Sequence, residues 1–274
     1  MVGSAARHGL DPPEPGDPEV VLRVERVVRR FGGVAAVDGV SFDVRAGERL
    51  AIIGPNGAGK TTLFRVVAGE LPVTSGRIHL FGRDVTAMPA HMRARMGLAR
   101  TFQVSNLFGS LSVEDNVRLA AQAASSSRWR FWAPIRPDDE VGDRARGSLE
   151  RVGLLGRASA RVAALSHGEQ RQLEIAMALA GRPRLLLLDE PAAGLAAAER
   201  ARLRELLAGL PASLPVVLIE HDMSLALGIA DTVLCLHNGR PIAYGRPGEV
   251  RANADVQAVY LGRERPLGEA AAGA

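Results

Sequence analysis

GPNGAGKT, residues 54–61, contains Lys60, the only lysine in a chain of 274 residues that carries 34 lysine and arginine side chains. A coding bias toward arginine accounts for the arginines but not for the exception. Arginine offers a broad planar fork, whereas lysine offers a compact ammonium on a slender stem that reaches into a tight loop as a point charge. The octet fits G-x-x-x-x-G-K-[ST], with Gly54, Pro55, Asn56, Gly57, Ala58, Gly59, Lys60 and Thr61 in its positions and Thr62 directly after. In such a loop backbone N–H groups close around phosphates, the lysine reaches the β and γ phosphates, and the Thr61 hydroxyl suits Mg²⁺. The flanks meet the structural demand of the pattern. RLAIIG (49–54) is an apolar, β-branched run suited to a buried strand, and KTTLFRVVAGE (60–70) places Leu63, Phe64, Val66 and Val67 at helical spacing before Gly69 stops it. A helix starting there points free N–H groups and the positive end of its dipole at an anion. The stretch reads as a nucleotide-binding P-loop.

The rest of the chain follows outward from that loop. VVLRVERVVRRF (20–31) alternates like an edge strand, VSFDVRAGERLAIIG (40–54) reads as a hairpin-like strand with a turn at Ala46-Gly47, and SGRIHLFGRDV (75–85) as a strand pair around Gly82. LSVEDNVRLAAQAA (111–124) and RARGSLERVGLL (144–155) are helical. Between them SSSRWRFWAPIRPDD reads as a surface loop whose tryptophans form a contact patch or tuck onto their own helix. LLLLDE (185–190), PVVLIEH (215–221) and DTVLCLHNGRPIAYG (231–245) alternate with helices such as AERARLRELLAGL (198–210), which implies a parallel sheet with crossover connections. HGLDPPEPGDPE (8–19) reads as a disordered tail.

Composition bounds the function. Hydrophobic residues make up 47% and charged residues 23%, ordinary for a globular chain long enough for a sizeable core. The sequence holds no stretch of eighteen apolar residues and no signal-peptide core near its start, so it is expected in the cytoplasm and not across a membrane. The formal charge of +4 is small for this length, and the arginines are dispersed, which does not single out nucleic acid as a partner. The lone Cys235 lies in the apolar run TVLCL and reads as core filler.

Further chemistry lies at the ends of the apolar strands. Asp189 and Glu190 end LLLLDE, where one carboxylate can hold a magnesium shell and its neighbour can polarise water. His221 follows the strand PVVLIE and is a candidate γ-phosphate contact, and Gln103 in ARTFQ offers an amide to the metal or to water. In LSHGEQRQLEIAMALA (165–180), Ser166 can cap a helix whose first turn presents a hydroxyl and the Gly168 N–H to an anion.

Taken together, these motifs resemble the ATP-binding-cassette ATPase family over roughly residues 21–262. GPNGAGKT looks like its Walker A motif, Gln103 its Q-loop, LSHGEQ its signature, LLLLDE its Walker B with Glu190 as the catalytic glutamate, and His221 its switch histidine. Phe31 looks like the aromatic that stacks on adenine. The resemblance implies an α/β P-loop NTPase core with a parallel sheet, an N-terminal antiparallel β subdomain and an inserted helical subdomain at about 104–165. It sets the ATPase at 20–262 between tails at 1–19 and 263–274. It further implies ATP and Mg²⁺ as ligands, with Thr61, Gln103 and Asp189 toward the metal, and a working pair in which ATP lies between the Walker motifs of one subunit and the signature helix of the other. Two departures stand out. His167 and Glu169 replace the usual Gly and Gln of the signature, and Ala196 stands where the family usually carries an Asp that couples the two sites.

Within the family, GLARTFQ, NLFGSLSVEDNV, PAAGL, IEHDM and the ending VYLG (259–262) look like the ATPases of branched-chain amino-acid importers. Urea and short-amide importers share IEHDM and VYLG. The importer resemblance implies two membrane permeases, a second ATPase subunit in a homo- or heterodimer, and an extracytoplasmic solute-binding protein, with this chain on the inner membrane face. NLFGSL suits a helix from a permease loop or ordinary core packing equally. Cassettes acting in DNA repair or on the ribosome fit less well, because Asp189 comes only 129 positions after Lys60, no sustained heptads appear, and the chain holds a single cassette.

Overall fold

The computed structural model describes residues 20–101, 107–124 and 140–261. Expectations for Gln103, for the tryptophan-containing stretch and for the two tails lie outside them. Along the chain run β1 (Val20–Phe31), β2 (Val34–Arg45), β3 (Arg49–Ile53), α1 (Lys60–Val67), β4 (Ser75–Leu80), β5 (Arg83–Asp84), α2 (Ala90–Arg95), β6 (Leu98–Arg100), α3 (Val113–Ala123) and α4 (Glu140–Arg151). Then follow α5 (His167–Ala180), β7 (Leu185–Asp189), α6 (Ala197–Ala208), β8 (Val216–Ile219), α7 (Met223–Ile229), β9 (Thr232–His237), β10 (Arg240–Gly245), α8 (Pro247–Ala252) and α9 (Ala254–Leu261).

The strands form two sheets. One is antiparallel in the order β2-β1-β4-β5, and the other runs β10-β9-β3-β8-β7-β6. In the second sheet β9, β3, β8, β7 and β6 are mutually parallel, and β10 is antiparallel to β9. Two expectations are corrected here. The strand at 20–31 is not an edge, because β1 pairs with β2 on one side and β4 on the other. Alternation reports that one face is buried and says nothing about how many neighbours the backbone has. The segment at 40–54 is not a hairpin either. The chain turns at Ala46-Gly47, but β2 belongs to the antiparallel sheet and β3 to the parallel one, so the turn changes sheets. The hairpin in this region joins β1 to β2, with Phe31 opposite Val34 across Gly32-Gly33.

The parallel strands are apolar throughout because both of their faces are covered. Leu185 and Leu187 of β7 join a core with Leu50, Ile52, Val217 and Ile219, packed against Leu63 and Phe64 of α1 and the antiparallel sheet. Leu186 and Leu188 point the other way, into a core shared with Val117, Leu149, Leu173 and Leu203 of the helical layer. α1 is thus held between the two sheets, and its position fixes the P-loop that precedes it. Cys235 is fully buried as expected, and burial pushes its thiol up to about 11.

Candidate functional site

The loop between β3 and α1 is a backbone structure first. Gly54 has φ 147° and Gly59 φ 98°, and a Cβ at either would lie 2.2 Å from a carbonyl oxygen, of Leu236 and Ala36 respectively. Only glycine fits both the torsions and the approach. The turn is closed by Ala58 N–H to the Pro55 carbonyl at 3.2 Å, and it is moored to the β9–β10 turn by Gly239 N–H to the Ala58 carbonyl at 3.0 Å. Lys60, 4% exposed, folds back so that Nζ donates to the carbonyls of Gly54 at 2.7 Å and Pro55 at 3.0 Å. α1 begins without a side-chain cap and without an acidic residue in its first turn, so no carboxylate of its own first turn offsets the positive end of its dipole. Asn56 and Gly57 are exposed at the loop's tip, and Thr61 and Thr62 are half-buried on the first turn of the helix.

Asp189 ends β7 two strands away from β3, at 1% exposure. Its Oδ2 accepts from Arg100 Nη2 at 2.8 Å, while Oδ1 is buried with no hydrogen-bond partner. Burial raises the Asp189 carboxyl above its usual range, and the Arg100 guanidinium pulls it back down. A buried carboxylate oxygen with nothing to accept from is costly unless a further positive group joins it, and its chemistry fits a hard divalent cation. Arg100 is a residue that the motifs do not reveal. It bridges Asp189 to Glu70 and lies over the Phe64 ring, 5.4 Å from its centre. Its signal in the sequence is only an arginine in the short run GLAR, which becomes meaningful once β6 pairs beside β7 with Arg100 opposite Leu187.

Glu190 and His221 meet. Glu190 Oε1 and His221 Nε2 are 2.6 Å apart, joining the residue after β7 to the one that follows Glu220 beyond β8. Glu190 adopts φ 49°, a left-handed backbone that a non-glycine residue keeps only where its surroundings impose it, as its N–H to the Ile219 carbonyl at 3.0 Å helps to do. Between the two lies Glu220, 2% exposed, which the motif reading passed over although an acid inside the apolar run VVLIEH needs partners to be buried at all.

The remaining predicted residues lie apart from this cluster. Phe31 is 47% exposed beside the β1–β2 turn, with the Arg29 guanidinium 4.6 Å over its ring. Ser166 and Gly168 sit at the start of α5, lining a small cleft with Leu195, Glu199 and Leu203. Ser166 Oγ accepts from Glu169 N–H at 3.2 Å while the Glu169 carboxylate accepts from Ser166 N–H at 2.8 Å, a reciprocal cap that gives Glu169 its role in this helix. The His167 ring lies against Gly194 in the loop after β7. Ala196 offers no side-chain cap to α6, and its N–H donates to Glu199 at 2.9 Å. Phe108 of NLFGSL is 54% exposed, its backbone pinned by the fully buried Asn116, whereas Leu107 packs on the core.

A phosphate-shaped loop with its lysine turned inward, and a buried carboxylate two strands off, is the arrangement of P-loop nucleotide-hydrolysing proteins. Comparison narrows the class. The family model for the ABC transporter matches residues 37–193, and that for the branched-chain amino acid ATP-binding cassette transporter matches residues 240–265. The high-affinity branched-chain amino acid transport ATP-binding protein LivG of Salmonella typhimurium is 42% identical over 250 residues, 88% of this chain and 98% of the relative. BraF of Pseudomonas aeruginosa, described in the same words, is 39% identical over 249 residues, again 88% and 98%. Among solved structures, the ADP conformation of MJ1267, an ATP-binding cassette of an ABC transporter, matches with a TM-score of 0.79 at 30% identity over 89% of this chain and 99% of that one. The chain belongs to the ATP-binding-cassette transporter family, and it is an ATPase of that family.

Proposed function

We propose that this chain is the ATP-hydrolysing subunit of an importer for branched-chain amino acids, working on the inner face of the membrane with two permease subunits, a second ATPase subunit and, indirectly, an extracytoplasmic binding protein. The observation that carries the hydrolytic half is the 2.6 Å contact between Glu190 and His221 at the ends of adjacent parallel strands. The similarity to LivG and BraF over almost their whole length supports the solute class. Among the described residues no helix is long and apolar enough to cross a membrane, which leaves the permeation path to partner chains.

In this reading the adenine of ATP stacks on Phe31, whose ring stands exposed beside its hairpin turn. The phosphates enter the loop from Gly54 to Thr62, take the N–H groups of the loop and of α1, and draw the Lys60 ammonium from the carbonyls of Gly54 and Pro55 onto the γ-phosphate. Thr61, Asp189 and Gln103 are the residues that would hold Mg²⁺, which would supply positive charge against the phosphates. Glu190 orients and deprotonates the attacking water, a role worth about 10²–10⁴ in rate. His221, held beside Glu190, contacts the γ-phosphate. Ser166 and the Gly168 N–H of the second subunit close the site from the other side, so that ATP joins two half-sites and hydrolysis reopens them.

The test is uptake of labelled leucine and labelled urea in cells lacking this protein and complemented with wild type or with Glu190→Gln. Leucine uptake restored by the wild type alone supports the reading, with Glu190→Gln still binding ATP in the purified protein. Urea uptake restored in place of leucine moves the solute class and keeps the ATPase. Normal hydrolysis by Glu190→Gln removes Glu190 from the chemistry.

A further inference from the structure

Glu220 is among the most deeply buried carboxylates of the described residues, and both of its oxygens are in use. Oε1 accepts from Ala192 N–H at 2.9 Å, and Oε2 accepts from His221 N–H at 3.1 Å. Ala192 is two residues beyond Glu190, so one carboxylate holds the backbone beside Glu190 and the backbone of His221 together. The Glu190–His221 contact at 2.6 Å closes the ring on the side-chain edge. The ring is tied to the sheet through Glu190 N–H to the Ile219 carbonyl at 3.0 Å and Glu220 N–H to the Ile52 carbonyl at 3.3 Å, the latter on the strand that leads into the P-loop. Burial pushes the Glu220 carboxyl up, and the amides of Ala192, His221 and Asp222 favour its charged form in return.

The chemistry of the acceptor matters. A carboxylate presents two acceptors to two N–H donors, whereas a glutamine of the same shape would turn an NH₂ group toward one of them, donor against donor. We propose that Glu220 is a positioning residue for ATP hydrolysis, its two oxygens fixing the backbone on either side of Glu190 and His221 so that carboxylate and imidazole stay in hydrogen-bond register. The proposal rests on the hydrolytic roles given above to Glu190 and His221. A displacement of about 1 Å between reacting groups is enough to cost about a hundredfold in rate, and Glu220 is the group that would prevent it. Because it touches neither nucleotide nor water in this reading, its loss should lower turnover and leave ATP affinity alone.

The experiment is steady-state hydrolysis by the purified full chain, with ATP affinity measured separately by titration with a fluorescent ATP analogue. Glu220→Gln should lower kcat by about tenfold or more with affinity within about twofold of wild type. The double variant Glu220→Gln with His221→Ala should be about as slow as His221→Ala alone, since both remove the same arrangement. An unchanged kcat, or losses that multiply in the double variant, overturns the proposal, because a residue that merely supports the fold acts independently of His221. Should Glu220→Gln fail to fold, Glu220→Asp keeps the charge and both acceptors on a shorter arm. It should then show a kcat loss of about threefold or more that vanishes in the His221→Ala background, and full activity again overturns the proposal. Wild-type hydrolysis by both Glu190→Gln and His221→Ala would sink the underlying reading. Inactive Glu190 and His221 variants beside a fully active Glu220→Gln would sink this proposal alone.

Discussion

The two ends of α1 each carry a buried cation, and the cations stand in opposite relation to the helix. At its C-terminal end Arg93 of α2, 1% exposed, donates to the carbonyls of Val66, Val67, Val85, Thr86 and Met88 at 2.6 to 3.3 Å. A positive charge at the negative end of a helix dipole, with its donors spent on carbonyls, is a stabilising arrangement. At the N-terminal end Lys60 places its charge where the dipole favours an anion, on a helix with no cap and no acid in its first turn. Similar burial therefore signifies a satisfied strut at one end and, in the proposed function, a site organised for a charge brought by the nucleotide at the other.

The sharpest way to break this comparison is to remove each cation while keeping its apolar length. Lys60→Met should lower ATP hydrolysis about a thousandfold, equivalent to about 4 kcal/mol of transition-state stabilisation, while chemical denaturation shows a loss of about 1 kcal/mol at most from the two carbonyls it leaves. A large stability loss would mean that Lys60 holds the loop up, and the contrast between the two ends would collapse. Arg93→Met should do the reverse. Removing the donors that Arg93 gives to these five carbonyls should cost about 3 kcal/mol on unfolding, with ATP affinity of the folded fraction unchanged. Weakened ATP binding with intact stability would make Arg93 part of the site.

How legible these two residues were follows from the same difference. Lys60 sits in a spacing that only phosphate chemistry explains, and strand, loop and helix could be read around it from glycines and apolar period. Arg93 lies in AHMRAR, which has no apolar stripe, and it is buried because carbonyls from two separate segments, 66–67 and 85–88, converge on it, a fact of tertiary placement. The same holds for Arg100 and for the three-residue strand β6, which exists through its pairing with β7. The change of sheet at Ala46-Gly47 is not legible in the sequence, because two strands joined by a tight turn look alike whether they pair with each other or part company. Asp189, Glu190 and His221 were legible as strand-end residues. The contact between the last two depends on β7 and β8 being parallel neighbours.

Cys235 gives a reading of the Lys60 end from beneath. It pairs across the sheet with Ile53, directly before the loop, and the Lys60 charge lowers its pKa against the larger effect of burial, which raises it to about 11 from 9.0. An acid whose folded pKa is raised contributes stability fully below its unfolded pKa and loses it as pH rises through the folded one. The wild type should therefore lose about 2 to 3 kcal/mol more than Cys235→Ala between pH 9 and pH 11, measured as the difference in denaturant unfolding across that range. In the Lys60→Met background the loss should extend to higher pH. Parallel pH profiles for wild type and Cys235→Ala would show that the thiol titrates normally and that the strand beneath the loop is open to water.

The smallest effect compares the two helix N-termini assigned to the phosphates. That of α1 is uncapped, whereas α5 carries the Ser166–Glu169 reciprocal cap, and Glu169 is also 3.5 Å from Arg157. A negative charge at the start of α5 stabilises the helix but competes with an anion arriving from a partner subunit. Glutamine at the same position keeps the cap, since the motif accepts either side chain, and removes the charge. Glu169→Gln should thus lower unfolding stability by about 0.5 kcal/mol and tighten ATP-dependent dimerisation, read by light scattering with hydrolysis blocked by Glu190→Gln. Weaker dimerisation would mean that the Glu169 charge serves the partner contact itself, through Arg157 or a group on the second subunit, and that the start of α5 does not act as an anion site in the way the start of α1 does.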